Sequence, residues 1–432
     1  MNYQRPILFV CCLLLLSTAA LKAQEYDDTP FFDFNQKMRD AHANALRLRI
    51  KDSKVALQLE KSQNRYNIIP YYVDDLADFM QTLASENHDE FKRFQQQRQV
   101  RLSRIRTGDR SSPYYLFAVA ALQLHAAYHH VVFYEPNDAK NALKSAMADI
   151  ERNMKSFPDF MGNRMLYGVA QILSECVGAR TGSSNLAVEG LTHLKDVLAY
   201  GKSYPKFEFN EDAQVWYGLM LILLHSEDEK DWSLLNPAVL DYKRSPTAAY
   251  IFAMQQWRTG QSTKMYATIT GTPSSDQYHP LHYLQFLLGI HHLCKLEPKA
   301  ETHFRNYLAR SKGEHHQKNA LLRIAHCQLA NKNTAGYTNT MRDLLLRGNT
   351  VEPFDYFAEE ESLRKYTPNP NLVRAKLYLE GGYHDKARTE INQAQSTPPY
   401  DQAEILFVKA RIHHKAKTSD AALSGYTELI NQ

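Results

Sequence analysis

Histidine is the side chain in this sequence best suited to chemistry, and the chain holds 18 of them. His125 and His129 stand four residues apart in the run Leu122 to His130, so one helix face could offer two imidazoles to a metal ion. Such a site needs a third ligand, and the zinc-protease pattern needs a glutamate directly after the first histidine. Ala126 stands there instead. Buried or groove-lining imidazoles are the better reading. The adjacent pairs His291-His292, His315-His316 and His413-His414 project about 100° apart on a helix and cannot serve one ion. Nucleophile signatures are missing as well: there is no Gly-x-Ser-x-Gly elbow and no glycine-rich phosphate loop. No catalytic, cofactor-binding or metal-binding residue is therefore assigned, and no cofactor is expected.

The other candidate chemistry is charge. Between His88 and Arg110 stand Lys92, Arg93, Arg98, Arg101, Arg104, Arg106 and Arg110, against Asp89, Glu90 and Asp109. Phe91, Phe94, Leu102 and Ile105 give this stretch an apolar face, so it reads as an amphipathic basic helix. Arg101 and Arg104 are its candidates for meeting an anionic partner. The bland alternative is a solvated helix whose arginine stems cover neighbouring apolar surface.

The elements that must position these residues begin with a leader. Arg5, an apolar run from Ile7 to Leu16, and Leu21-Lys22-Ala23 together read as a secretory signal peptide over residues 1–23, cut before Gln24. From Pro6 to Leu21 there are 16 mostly apolar residues, fewer than the roughly 20 of a spanning helix. No later stretch is apolar enough to cross a bilayer. The expected location is the periplasm or the outer membrane. The 51 Lys and Arg, less Arg5 and Lys22, against 47 Asp and Glu leave the mature chain at +2. A balance so near neutral, behind a secretion signal, argues against nucleic acid as a partner. Processing would leave Cys176, Cys294 and Cys327, with no Cys-x-x-Cys pair. These read as buried thiols, with a Cys294–Cys327 bridge between neighbouring helices as the alternative.

From Gln24 onward, apolar residues recur at helical spacing and no alternating strand pattern emerges. Proline and glycine fall between segments of about 12–20 residues, where helix ends belong. The expected fold is all-α, an α-solenoid of antiparallel helix pairs, with 24–201 and 202–432 as its halves and the boundary near Lys202–Lys206. A repeat stands out at the end of the chain. At a register of 35 residues, Ala375 meets Ala410, Tyr378 meets His413, Ala387 meets Ala422 and Ile391 meets Tyr426. Within each copy the two alanines are 12 apart, which lets two antiparallel helices approach closely.

The segment Asn371 to Ala387 resembles a tetratricopeptide repeat. Ala375 takes the small first-helix position, Tyr378 the aromatic, Gly382 the turn and Ala387 the second-helix alanine, with Pro399 as the closing proline. The second copy lacks a turn glycine and has His413 for the aromatic. Looser units include Gly289 with Ala300 and Phe304, Ala325 with Tyr337 and Met341, and Gly168 with Leu186 to Leu194. The resemblance is closest over 277–432 and looser over 113–201. As a whole the chain is similar to divergent secreted tetratricopeptide proteins of bacteria with outer membranes. That resemblance implies a non-catalytic scaffold or adaptor for a protein or peptide partner in the cell envelope.

First helices line the concave surface of such a solenoid, so Tyr378, His413 and His291 join Arg101 and Arg104 as candidate partner contacts. Tyr128, Tyr167, Tyr217, Tyr283 and Tyr378 could equally be packing residues between helices. Leu423, Tyr426, Leu429 and Ile430 lie on a last helix with no following helix to cover its far side, so this end is expected either to be covered by a partner, a second copy of the chain being one candidate (a homo-oligomer through the C-terminal end), or to fray. Two rival readings remain. One is a metal-dependent enzyme. The other is a carbohydrate- or small-ligand-binding helical protein, which would need a Trp-lined pocket; Trp216, Trp232 and Trp257 are scattered.

Overall fold

A computed structural model describes residues 29–178, 185–364, 366–399 and 401–431. The expected signal peptide, 1–23, lies outside the described residues. These form 21 helices and no sheet; the one extended contact is an isolated bridge from Phe31 to Asn67. No helix among them is long and apolar enough to cross a membrane.

Most helices pack against their successor, and where a tight turn joins the two the pair is antiparallel. The pairs are α1 (Gln36–Leu46) with α2 (Ile50–Gln63), α3 (Ile69–Ser85) with α4 (His88–Ile105), and α5 (Pro113–Val132) with α6 (Pro136–Ser156). Then come α7 (Met161–Cys176) with α8 (Leu186–Ser203), α9 (Asn210–Leu223) with the single turn α10 (Glu229–Trp232), and α11 (Pro246–Arg258) with α12 (Ser262–Thr270). The last pairs are α13 (Tyr283–Leu293) with α14 (Lys299–Arg310), α15 (Gln317–Ala330) with α16 (Thr334–Leu346), α18 (Pro370–Glu380) with α19 (His384–Ala394), and α20 (Gln402–Lys415) with α21 (Ser419–Ile430). A lone helix, α17 (Pro353–Ser362), interrupts the rhythm after α16. Pro113, Pro136, Pro246, Pro353 and Pro370 each open a helix, where the missing N–H costs nothing.

The repeat is clearest in the backbone. Leu48, Glu86, Tyr134, Gly178, His225, Gly260, Leu296, Lys332, Gly382 and Lys417 all have φ between +50° and +82°, and each sits in the turn after a first helix. One left-handed residue stops each first helix and redirects the chain. Only three of these positions are glycine, which is why most of the repeat is faint as sequence. The small residues behave as expected at the end of the chain: Ala375, Ala387 and Ala410 are buried. Cys294 and Cys327 are buried free thiols, and Cys176 is free and exposed.

First helices α3, α5, α7, α9 and α11 touch in succession, as do α13, α15, α18 and α20. The largest apolar cluster draws on residues from Phe34 to Phe252, on both sides of the Lys202–Lys206 segment, and the next begins at Ala253 inside α11. The solenoid also folds back on itself. Arg47 grips Glu211 with two hydrogen bonds of 2.9 and 2.6 Å, and buried His42 lies 3.0 Å from Asp212. His315 Nε2 donates to the Val132 carbonyl at 3.0 Å. The C-terminal pairs return to the middle of the chain: Trp257 Nε1 donates to Glu380 at 2.9 Å, and Lys415 and Lys417 reach Glu227 and Glu229 at 2.7 and 3.0 Å. At this seam two turns meet backbone to backbone. A Cβ on Gly382 would stand 2.0 Å from the Gly260 carbonyl oxygen.

A buried ion cluster ties α3 to α4 and α5, and it corrects the reading of the basic helix. Arg98 Nε donates to Asp75 at 3.0 Å, Arg101 Nη1 to Asp75 at 3.3 Å and Nη2 to Asp78 at 2.6 Å. Lys54 meets Asp78 at 2.5 Å, Lys61 meets Asp74 at 2.9 Å, and His125 Nδ1 lies 2.8 Å from Asp75. Burial pushes the Asp75 carboxyl up, but Arg98, His125 and Arg101 outweigh it and hold it at about 2. Arg101 is thus an interior residue and cannot serve as a surface contact.

Candidate ligand-binding cavity

The left-handed turns do more than reverse the chain. Several of them, with the helix ends before them, converge on one cavity of about 580 Å³. Glu86, Tyr134 and His225 come from the turns themselves, Tyr128, Ile222, Trp257 and Arg258 from the ends of α5, α9 and α11, and Tyr250 from nearer the start of α11. Tyr283 at the start of α13, His315 and His316 before α15, and Glu352 to Phe354 at the start of α17 complete the wall. The volume is within the range of about 300–1,000 Å³ usual for ligand pockets. The lining is mainly apolar and aromatic, with few charges.

Those charges are arranged unevenly. His316 Nδ1 lies 2.9 Å from Glu352, and its Nε2 lies 3.8 Å from Glu86. Burial lowers this imidazole's pKa, but Glu352, Glu86 and Asp355 overcome that and raise it to about 9, so His316 is a cation at neutral pH. Tyr283 packs its ring 4.6 Å from the His316 ring. Behind the wall, Asp355 accepts the Asn319 N–H at 2.9 Å. Burial and then Glu352 push its carboxyl up to about 7. Glu352 thus pairs directly with His316, and Glu86 faces the same ring from further off.

Arg258 does not share in that arrangement. Among the described residues its guanidinium makes one hydrogen bond, a long one from Nη2 to the Ile222 carbonyl at 3.4 Å, and its Nε is buried with no partner. Desolvation, only partly offset by Tyr283, Tyr250 and Glu227, lowers its pKa.

A second cavity of about 460 Å³ shares Pro353 and Phe354 with the first. Its polar lining includes Arg323, His326, Arg364 and Lys376. Arg323 is held by Glu380 at 2.7 and 3.0 Å. Burial pushes His326 down to about 3, so it is neutral.

None of the five residues expected at a partner surface lines either cavity. His291 is buried: its Nδ1 lies 2.9 Å from both the hydroxyl and the carbonyl of Ser262, and its ring stacks on Tyr266 at 4.6 Å. It is a packing residue, which corrects its assignment as a contact. Tyr378 is half-buried, packed beside Tyr383 at 6.3 Å under Lys386. His413 lies 3.1 Å from the Thr418 hydroxyl, across its own turn. Arg104 is exposed on the outer face of α4.

His125 and His129 do share a helix face, but they serve different partners. His125 meets Asp75 and stacks on Phe79, while His129 Nε2 donates to the Phe79 carbonyl at 3.2 Å and its ring lies tilted against the Phe79 ring. Desolvation holds both below the usual imidazole range. A different group offers metal-ligand atoms: His130, Glu135 and Asp138 bring one ring nitrogen and two carboxylates within 4.8 Å of one another. Glu135 already accepts from His88 at 2.8 Å and from His130 at 2.6 Å. Of the expected packing tyrosines, Tyr217 is buried, while Tyr128 and Tyr283 are buried and also face the cavity. Trp216 and Trp232 are interior, whereas Trp257 reaches the cavity wall. The chain matches no protein-family model, no curated protein and no solved structure.

Proposed function

We propose that this chain is a non-catalytic binding protein of the cell envelope, built from tetratricopeptide-like pairs, whose interior cavity holds an apolar segment of a protein partner. The observation that carries this reading is the aromatic cavity at the converging turns, walled by Tyr128, Tyr134, Tyr250, Trp257, Tyr283 and Phe354. Aromatic walls give large contact area at small entropic cost, the character of binding hot spots. The neighbouring cavity across Phe354 lengthens the apolar track beyond a single side chain. The leader expected over 1–23 and the near-neutral mature charge support an envelope location and a protein rather than a nucleic-acid partner.

Site-directed photocrosslinking in the native cell envelope tests it. Tyr134 is on the cavity rim with half its surface exposed, while Arg104 is exposed on the outer face. A benzophenone amino acid at Tyr134 should give a discrete protein adduct, and the same group at Arg104 should not. Adducts of the same size at both positions, or none at Tyr134, would move the contact surface elsewhere.

A further inference from the structure

We infer that the partner segment held in this cavity presents a carboxylate, either its own carboxyl terminus or an acidic side chain, to the guanidinium of Arg258. The inference rests on the binding role proposed above and adds the chemistry of what is bound. A guanidinium carries five N–H donors in a planar fork and stays charged under all ordinary conditions. Arg258 uses one of them, at 3.4 Å. Among the described residues it forms no ion pair, and its Nε is buried and unbonded. An arginine facing an apolar cavity without a counterion is costly, and a ligand carboxylate is the group that matches its fork.

The nearby acids cannot fill that place. Glu86 and Glu352 are turned to His316, at 3.8 and 2.9 Å. Glu227 is held by Lys415 at 2.7 Å and faces Arg411 at 3.7 Å. The carbonyl ends of α9 and α11 offset part of the charge, yet the guanidinium remains under-compensated. Tyr250, Tyr283 and Trp257 share the wall with Arg258, so an apolar or aromatic body beside the carboxylate would be covered as its charge is paired.

Calorimetric titration of the full chain separates the outcomes. The probes are an acetylated tetrapeptide of leucine and phenylalanine as the free acid, the same peptide as carboxamide, and a carboxamide with one internal aspartate. Decanoate and decylammonium supply the non-peptide arms. At least one acidic peptide should bind about tenfold more tightly than the plain carboxamide, the effect of one charge-assisted pair. Whichever acid gains identifies the source of the carboxylate. Arg258→Gln should erase that gain, so that acid and carboxamide bind alike, and Arg258→Lys should keep only part of it. Because the substitution removes an unpaired charge, R258Q should melt no lower than the wild type. Equal affinity for acid and carboxamide, or preference for decylammonium over decanoate, would overturn the inference while leaving the binding role intact. Decanoate binding with no peptide bound would instead remove the protein-segment reading. Failure of every probe would remove both.

Discussion

Replacing Asp75 with alanine should cost the fold about 3–5 kcal/mol, because it leaves Arg98 and part of Arg101 as buried charges without a counterion. Asp75 and Asp78 have no accessible surface, and Arg98 and Arg101 are nearly as enclosed. Water cannot replace the lost carboxylate. The cluster also fixes geometry, since its carboxylates sit on α3, its arginines on α4 and His125 on α5. Urea unfolding at pH 7 reads the loss directly; a change below about 1 kcal/mol would mean that the cluster is hydrated or rearranges. The double variant Asp75→Ala with Arg98→Met should recover part of the stability, because it removes a charge together with its partner. Acid supplies an independent check. The folded pKa of Asp75, about 2, is below its ordinary value, so its contribution is complete above about pH 4 and is lost as pH falls through about 2.

Gly382→Ala should be nearly as damaging, for a different reason. Its φ of +82° is strained for any L side chain, and the added Cβ would stand 2.0 Å from the Gly260 carbonyl oxygen. Backbone strain alone costs roughly 1–2 kcal/mol; with the overlap, the loss should reach about 2–4 kcal/mol. Gly178→Ala is the control, since Gly178 has φ +60° but none of the described residues lies within 4 Å of the added carbon. Thermal melts of the two variants isolate the contact. Equal losses would show that the two turns part without cost, and the seam would then rest on its side chains alone.

The sequence carries the periodic features well and the long-range ones poorly. Ala375, Ala387 and Ala410 are buried where the alanine spacing placed them, and Gly382 has the left-handed conformation that its turn required. The same conformation at Glu86, Tyr134, His225 and Lys417 was not legible, because the position is defined by where a helix stops and any residue type can occupy it. The cavity was hidden for that reason: its wall is assembled from turn residues with no shared letter. The basic stretch misled for another. Arg98 and Arg101 pair with acids 23 to 27 positions away, so a local tally counted as surface charge what is neutralised inside. One usable signal was available, the acid triplet Asp74, Asp75 and Asp78 on a strongly apolar helix, which calls for buried cations.

The fold-back contacts bear on how the chain folds. Helical solenoids ordinarily gain structure unit by unit, each stabilised by its immediate neighbours, and their short-range contacts make them quick. Here Arg47 meets Glu211 across 164 positions, His315 meets Val132 across 183, and Lys415 meets Glu227 across 188. Each such link must wait for a long loop to close, which raises the entropic barrier before any reward is collected. The chain should therefore behave as one cooperative body, with helical signal and tryptophan fluorescence lost at the same denaturant concentration. Staggered transitions would identify it instead as an array of separable units. Removing its last pair should then weaken the whole molecule, as taking the keystone from an arch does, where in an open array it would merely leave a shorter stack.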